Sequence, residues 1–376
     1  MLDFASALYL GMQHDELATQ RPFALTLGRP AALEEPPGAV RVAASLARLQ
    51  GCEKALLTTS TLHLFWDLFE MLSRAPTALL VDACAYPVSR WAMQRVPPRG
   101  CSLGAFSHHD LASLRALAVN ARTRGQRPVL VTDGYCGACG RSPPIGSYSA
   151  LVEALEGLLV IDDTQSLGIL GGAPDGSVPY GRGGGGVLRW HGVSGARIIV
   201  GASLAKAFGA PLAGIAGSSA LIEQFRDASR TRVHCSPPSV AAIRAAQNAL
   251  RINADYGDAL RRCLHARVEC LRVAMTCAGL RLRTAFPFPM QHFDVPPHRD
   301  AAALSARLLE QGVWAVATQG GGHSRLTFLV TVRHRMHDIE LAGRIVARLL
   351  SNHAVHGGKE NWNEQAAIQR IAPCPA

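Results

Sequence analysis

Short apolar runs alternate along the chain with stretches whose apolar residues recur at helical spacing. "ALLTT" precedes "TLHLFWDLFEMLSRA", "TALLVDA" precedes "YPVSRWAMQRV", and "RPVLVTDG" is followed by a Pro/Gly loop and "SYSALVEALE". "GLLVIDD" and "ARIIVGAS" continue the series. Runs of this length, apolar throughout and separated by helices, predict buried parallel strands in a wound α/β sheet. Ligands of such sheets bind beyond the C-terminal ends of the strands. That rule selects Ser60 and Thr61, Asp82 to Tyr86, Asp133 to Cys139, Asp162 to Gln165, and Ser203 to Lys206.

A different pattern follows "SPP" at 236–238. A long helical stretch from Ser239 to Gly279 leads to "PMQHFDV", "DAAALSARLLEQG" and "RLTFLVTV", which read as a smaller α+β domain. The expected division is an N-terminal segment 1–45, a large domain 46–239, a small domain 240–350 and a polar tail 351–376.

Composition narrows the class. With 376 residues, 48% hydrophobic and 18% charged, the chain reads as globular, with room for more than one core. No apolar run reaches membrane-spanning length. The N-terminus lacks a basic n-region and carries Asp3 early, which reads as cytoplasmic. The ten cysteines are expected as free thiols, with Cys263, Cys270 and Cys277 near one helix face as small core residues. The net charge of +10 is spread along the chain and aromatic content is only 6%, a weak basis for nucleic-acid binding. It suits acidic small molecules or an acidic protein partner equally well.

One residue stands against its surroundings. In "GASLAKAFGAP" (201–211) Lys206 is the sole charge, and burying an unpaired ammonium is costly. "VIDDTQSLG" places an acidic pair, Asp162 and Asp163, at another strand end. Spacing alone leaves two readings open: a buried Lys–Asp ion pair, or a lysine whose amine acts covalently while the carboxylate serves a cofactor cation.

The segment "TDGYCGACGRSPPIGSYSALVEALEGLLVIDDTQSLGILG", followed by "SLAKAFG", resembles the α-oxoamine synthase family. Similar motifs are "FASALYLGMQH", "FSHHDLASLRAL" and "SPPSVAAIRAAQNAL", so the likeness covers about residues 2 to 350 and is densest over 129–245. The resemblance implies the pyridoxal 5′-phosphate (PLP)-dependent transferase fold type I, with a large mostly parallel-sheet domain, a smaller α+β domain, and a homodimer. It implies a Schiff-base lysine at Lys206, with Asp162 against the pyridine nitrogen and Ser203 on the phosphate. The helix entry at Ser60, Thr61 and Leu62 would also face the phosphate. Tyr86 takes the place of the family's stacking histidine, Gln165 that of the histidine at the phenolic oxygen, and His234 that of a threonine reaching across the dimer. Arg325 keeps one arginine of the R-[LI]-R pair that holds a substrate carboxylate, with Thr327 in the second position.

The implied reaction is decarboxylative condensation of an amino acid with an acyl thioester, carried on CoA or an acyl carrier protein, in a specialised biosynthetic pathway. Two other readings stay open. One is a different fold type I reaction (transamination, racemisation or aldol cleavage) and the other a non-catalytic paralogue. The departures at Gln165, Cys139, Ala205 and the missing glycine-rich segment near 25–45 indicate a remodelled substrate site around a retained cofactor site. No metal is expected: "CGAC" (Cys136, Cys139) lacks the further ligands of a zinc site and reads as loop near the cofactor. "GRGGGG" (181–186) lacks the strand–helix context of a dinucleotide loop and reads as a mobile loop. His63, His108, His109 and His292 read as surface or loop residues, and Asp133 as a structural residue contacting a neighbouring loop.

Overall fold

The computed structural model describes residues 1–14, 24–96, 100–320 and 323–351. In chain order the elements begin with β1 (Leu2–Asp3), α1 (Ala39–Gln50), β2 (Lys54–Thr58), α2 (Thr61–Leu72), β3 (Thr77–Asp82) and α3 (Pro87–Met93). They continue with β4 (Ser102–Phe106), α4 (Leu111–Thr123), β5 (Arg127–Asp133), α5 (Ile145–Ala154), β6 (Leu158–Asp162), α6 (Val187–His191) and β7 (Ile198–Ser203). Next come β8 (Ala213–Gly217), α7 (Ser219–Ala228), α8 (Thr231–His234) and the long α9 (Val240–Cys277). The last are β9 (Arg281–Leu282), β10 (Met290–Asp294), α10 (Ala301–Glu310), β11 (Val313–Trp314), β12 (Val316–Gly320), β13 (His323–Leu329) and α11 (Met336–Ser351). Residues 352–376, most of the segment read as a polar tail, lie outside the described residues.

The chain forms two compact units. The larger comprises residues 10–137 and 141–261; the other comprises residues 1–9, 138–140 and the chain from Arg262 on. The division falls inside α9, so that one helix contributes to both.

The larger unit is built on a seven-stranded sheet of order β2-β8-β7-β6-β5-β3-β4. All neighbouring pairs are parallel except those of β8, which runs antiparallel to both β2 and β7. Strand alternation divides the core between the two faces. On one, Leu79, Val81, Val129, Val131 and Val160 pack with Leu64, Phe65, Leu68 and Phe69 of α2. On the other, Leu80, Leu130, Leu159 and Ile161 pack with Leu114, Tyr148 and Leu151. Burial on both faces is why these strands read as continuous apolar runs.

In the other unit, β12-β13-β10-β9 form an antiparallel sheet, and β1 pairs in parallel with β11. His292, expected at the surface, is instead buried in β10, where its ring bonds to Thr327 Oγ1 at 2.8 Å. The two residues are directly paired in register, and every residue of β10 is buried. Among the described residues no helix is long and apolar enough to cross a membrane.

Candidate active site

The sheet order reverses at β3: the chain steps out to the edge strand β4 and returns on the other side of β3 as β5. Ligand sites in such sheets lie at this switch point. Asp82, Asp133, Asp162 and Ser203 close the four strands β3, β5, β6 and β7, and Asp133 and Asp162 are directly paired in register. Three carboxylates therefore end neighbouring strands.

Their environments differ. Burial works against ionisation of Asp82, yet the His108 ring at 2.7 Å and the backbone N–H groups of His109 and Cys84 outweigh it and hold its pKa below the ordinary carboxylate range. His108 lies in the turn after β4, as a loop residue, and is tied there to the end of β3. Asp133 is pushed well above that range, by burial first and then by the facing charge of Asp162. Burial also raises Asp162, partly countered by Thr164, whose N–H donates to its Oδ1 at 3.0 Å, and by the charge of Lys206.

Lys206 sits in a tight connection between β7 and β8. Leu204 N–H donates to Leu212 O at 2.9 Å, extending the strand ladder, and Gly209 N–H donates to Lys206 O at 3.3 Å, closing a turn. Leu204, Ala207, Phe208, Ala210 and Leu212 are buried around it. Gly168 of "TQSLG" permits this packing: it has φ +86° and its Cβ would lie 2.6 Å from Ala207 Cβ. Burial lowers the pKa of the Lys206 amine, while the charges of Asp162 and Asp133 pull the other way. No carboxylate among the described residues forms an ion pair with Lys206. Its Nζ instead lies 5.8 Å from the centroid of the Tyr86 ring.

The other selected residues fall as follows. Ser203 Oγ accepts from Ala205 N–H at 3.2 Å, and Ser203 N–H donates to Thr164 Oγ1 at 3.0 Å. Gln165 is half-buried in the turn after β6. Ser60 caps α2 and its Oγ bonds to His63 Nδ1 at 2.7 Å, with Thr61 and Leu62 in the first turn. His234 is exposed at the end of α8. Arg325 belongs to the other unit, where its Nε donates to Asp294 Oδ1 at 3.3 Å. Cys136 is buried and Cys139 half-buried, and Cys84 is disulfide-bonded, against the expectation of free thiols throughout.

The acidic pair after β6 divides its labour, because successive strand-end residues face opposite ways. Asp163 points into the glycine run: both its oxygens accept Val187 N–H at 3.2 Å, and Ser166 Oγ donates to it. "GRGGGG" is consequently not the mobile loop the sequence predicts. Gly186 caps the short α6, Gly184 O accepts Gly168 N–H at 2.8 Å, and Asn253 and Asp258 bond to Gly183. Sequence reasoning missed this because the binding partners lie as far away as α9.

Burial, with Asp162 nearby, raises the Asp163 pKa to about 7. An unfolded aspartate titrates near 4, so the native state holds the extra proton between roughly pH 4 and 7 and stability falls as pH rises through that window. The loss amounts to about 4 kcal/mol at most. Asp163→Asn keeps the acceptor without the charge, and its urea midpoint should change much less between pH 5 and pH 8 than that of the wild type.

The positive charge is less diffuse than the sequence indicates. Arg41 and Arg48 of α1 and Arg244 and Arg251 of α9 line one concavity of about 1100 Å³, together with His14 and Asp258. In each helix the arginines are seven residues apart, two turns, which brings them to one face. The concavity does not include Lys206, but His14 on its wall bonds through Nε2 to Phe208 O at 3.1 Å, two residues beyond the lysine.

Comparison with known proteins places these features in context. Residues 38–336 match the family model for aminotransferase class I and II. The chain is 31% identical over 254 residues to 8-amino-7-oxononanoate synthase of Dechloromonas aromatica, covering 66% of this chain and 62% of that protein. It is 32% identical over 239 residues to the Nitrosococcus oceani protein of the same name, covering 62% and 60%. The match thus spans less than two thirds of these relatives. Serine palmitoyltransferase of Sphingomonas wittichii superposes with a TM-score of 0.80 at 16% identity, over 92% of this chain and 86% of that one. The 8-amino-7-oxononanoate synthase of Francisella tularensis gives 0.71 at 16%, over 93% and 98%.

Proposed function

The chain belongs to the aminotransferase class I and II family, and from its site we propose a PLP-dependent α-oxoamine synthase, an acyltransferase that joins an amino acid to an acyl thioester with loss of carbon dioxide and the thiol. Its fold is the type I arrangement that the motifs imply. The observation that carries the reading is Lys206: an amine whose pKa burial lowers, facing the carboxylates of Asp162 and Asp133 without an ion pair to either among the described residues. A lysine placed only for stability would be expected to pair.

The donor set fits the cofactor. Lys206 would bind it covalently, Asp162 would accept the pyridine N–H, and the Tyr86 ring would cover one face. Ser203 and the α2 entry at Ser60, Thr61 and Leu62 would meet the phosphate, with His234 contributed by the second subunit of a homodimer. Gln165 would donate its amide to the phenolic oxygen. When bound, the cofactor's protonated ring draws electrons from the amino acid's Cα. Asp162 keeps that nitrogen protonated, since a buried carboxylate is stabilised by the cation it faces. Lys206 Nζ takes the Cα proton, and its lowered pKa keeps the amine available as a base. Arg325 is the candidate for holding the substrate carboxylate, provided that it exchanges its contact with Asp294.

The acyl donor is carried on an acidic carrier protein in this reading, with the concavity between α1 and α9 as the cationic surface that meets it. Arg41→Glu with Arg251→Glu should raise KM for a carrier-bound donor several-fold, a difference that shrinks as salt screens the charges.

The test is covalent. Protein incubated with PLP and reduced with borohydride should carry one pyridoxyl phosphate on the peptide containing Lys206. Unlabelled peptide, or label elsewhere, sinks the assignment. Carbon dioxide release that depends on both an amino acid and a thioester then separates condensation from other reactions of the same cofactor.

A further inference from the structure

The Tyr86 ring faces Lys206, yet its side chain is not what fixes it. Tyr86 caps the N-terminus of α3 and is followed by Pro87, which has no N–H to offer. Its own N–H donates to both oxygens of Asp133, at 3.1 and 3.2 Å. Its carbonyl accepts Ser89 Oγ at 3.0 Å, and Ala85 N–H, one residue earlier, donates to Asp82 O at 2.9 Å. The backbone on either side of the ring's Cα is held, while the residue as a whole is 43% exposed.

Asp133 is a costly choice for this task. It is paired in register with Asp162 and stands near Asp82, and a neutral acceptor could take the same N–H without like-charge repulsion. What the carboxylate adds is two acceptor oxygens on one donor and a second negative charge toward Lys206.

We propose that Asp133 is a positioning residue: by clamping the Tyr86 backbone N–H across the switch point of the sheet, it holds the Tyr86 ring opposite Lys206 and so sets one wall of the cofactor site. The function of that wall rests on the PLP reading given above; the clamp itself does not.

Two measurements test the clamp. The first is the rate of Tyr86 iodination, read by mass spectrometry on the protein without added cofactor. Asp133→Ala should raise it roughly tenfold, the loss of one hydrogen bond to a charged group, and Asp133→Asn should leave it within about twofold of wild type because the amide oxygen still accepts. Asp133→Ser, with a shorter acceptor arm, replaces the alanine variant if that does not fold. An unchanged rate in the alanine or serine variant overturns the proposal.

The second is the dissociation constant for PLP in Asp133→Ala, Tyr86→Ala and the double variant. The two single losses should be similar and the double no weaker than either, whereas multiplied losses show independent roles and overturn it. If the wild type takes up no PLP, the cofactor reading falls, and the iodination rates alone decide the clamp.

Discussion

Lys206→Arg is expected to be as inactive as Lys206→Ala, with turnover reduced by roughly a thousandfold or more. Arginine preserves the positive charge facing Asp162 and Asp133, so a lysine serving only as counter-charge would tolerate it. A guanidinium does not deprotonate in a protein and cannot act as nucleophile or base. Burial lowers the amine's pKa, which favours the free base in a way no arginine can match. Steady-state turnover of both variants, with circular dichroism to confirm folding, checks this. Substantial activity in Lys206→Arg would return the residue to an electrostatic role.

The second large effect is on stability. Gly186 has φ +87°, and a Cβ added there would lie 1.8 Å from Asp163 Oδ2. That carboxylate cannot swing away, because Ser166 and Val187 hold it and Gly134 closes the opposite side, where a Cβ would approach its Oδ1 to 2.4 Å. Gly186→Ala therefore combines left-handed backbone strain with overpacking, about 3–5 kcal/mol together. For a protein of this size the midpoint of thermal unfolding should fall by roughly 5 °C. A shift of only a degree or two would mean that the glycine run can rearrange around Asp163.

The buried parallel strands were legible because each is apolar on both faces, and the rule that ligands gather at their C-terminal ends drew attention to the segments that follow β3, β5, β6 and β7. β4 and β8 escaped that logic for different reasons. β4 is an edge strand whose residues alternate between partly exposed and exposed until Phe106. β8, "AGIAG", is fully buried but has only one β-branched residue. Lys206 lies near Asp162 and the Tyr86 ring beyond the C-terminal ends of the strands. Asp133 contacts a neighbouring loop as expected, but its partner there, the Tyr86 backbone N–H 47 residues away, is one that no side-chain pattern records. The gathering of four arginines was invisible for a similar reason: α1 and α9 are some 200 positions apart in sequence, and a charge count along the chain cannot see them face one another.

The reversed direction of β8 has a bearing on how the site comes into being. Asp82, Asp133 and Asp162 reach their neighbours only through crossovers that span whole helices. Lys206 lies instead in a hairpin, whose strands pair from Ser203 with Ala213 back to Ile199 with Gly217. Such local pairings form within microseconds, whereas contacts distant in sequence wait for the closure of large loops. The lysine's loop is thus specified by its own neighbourhood, and the carboxylates are delivered to it as the sheet assembles. In a refolding experiment followed by pulsed hydrogen exchange, the amides of β7 and β8 should gain protection ahead of those of β3 and β5.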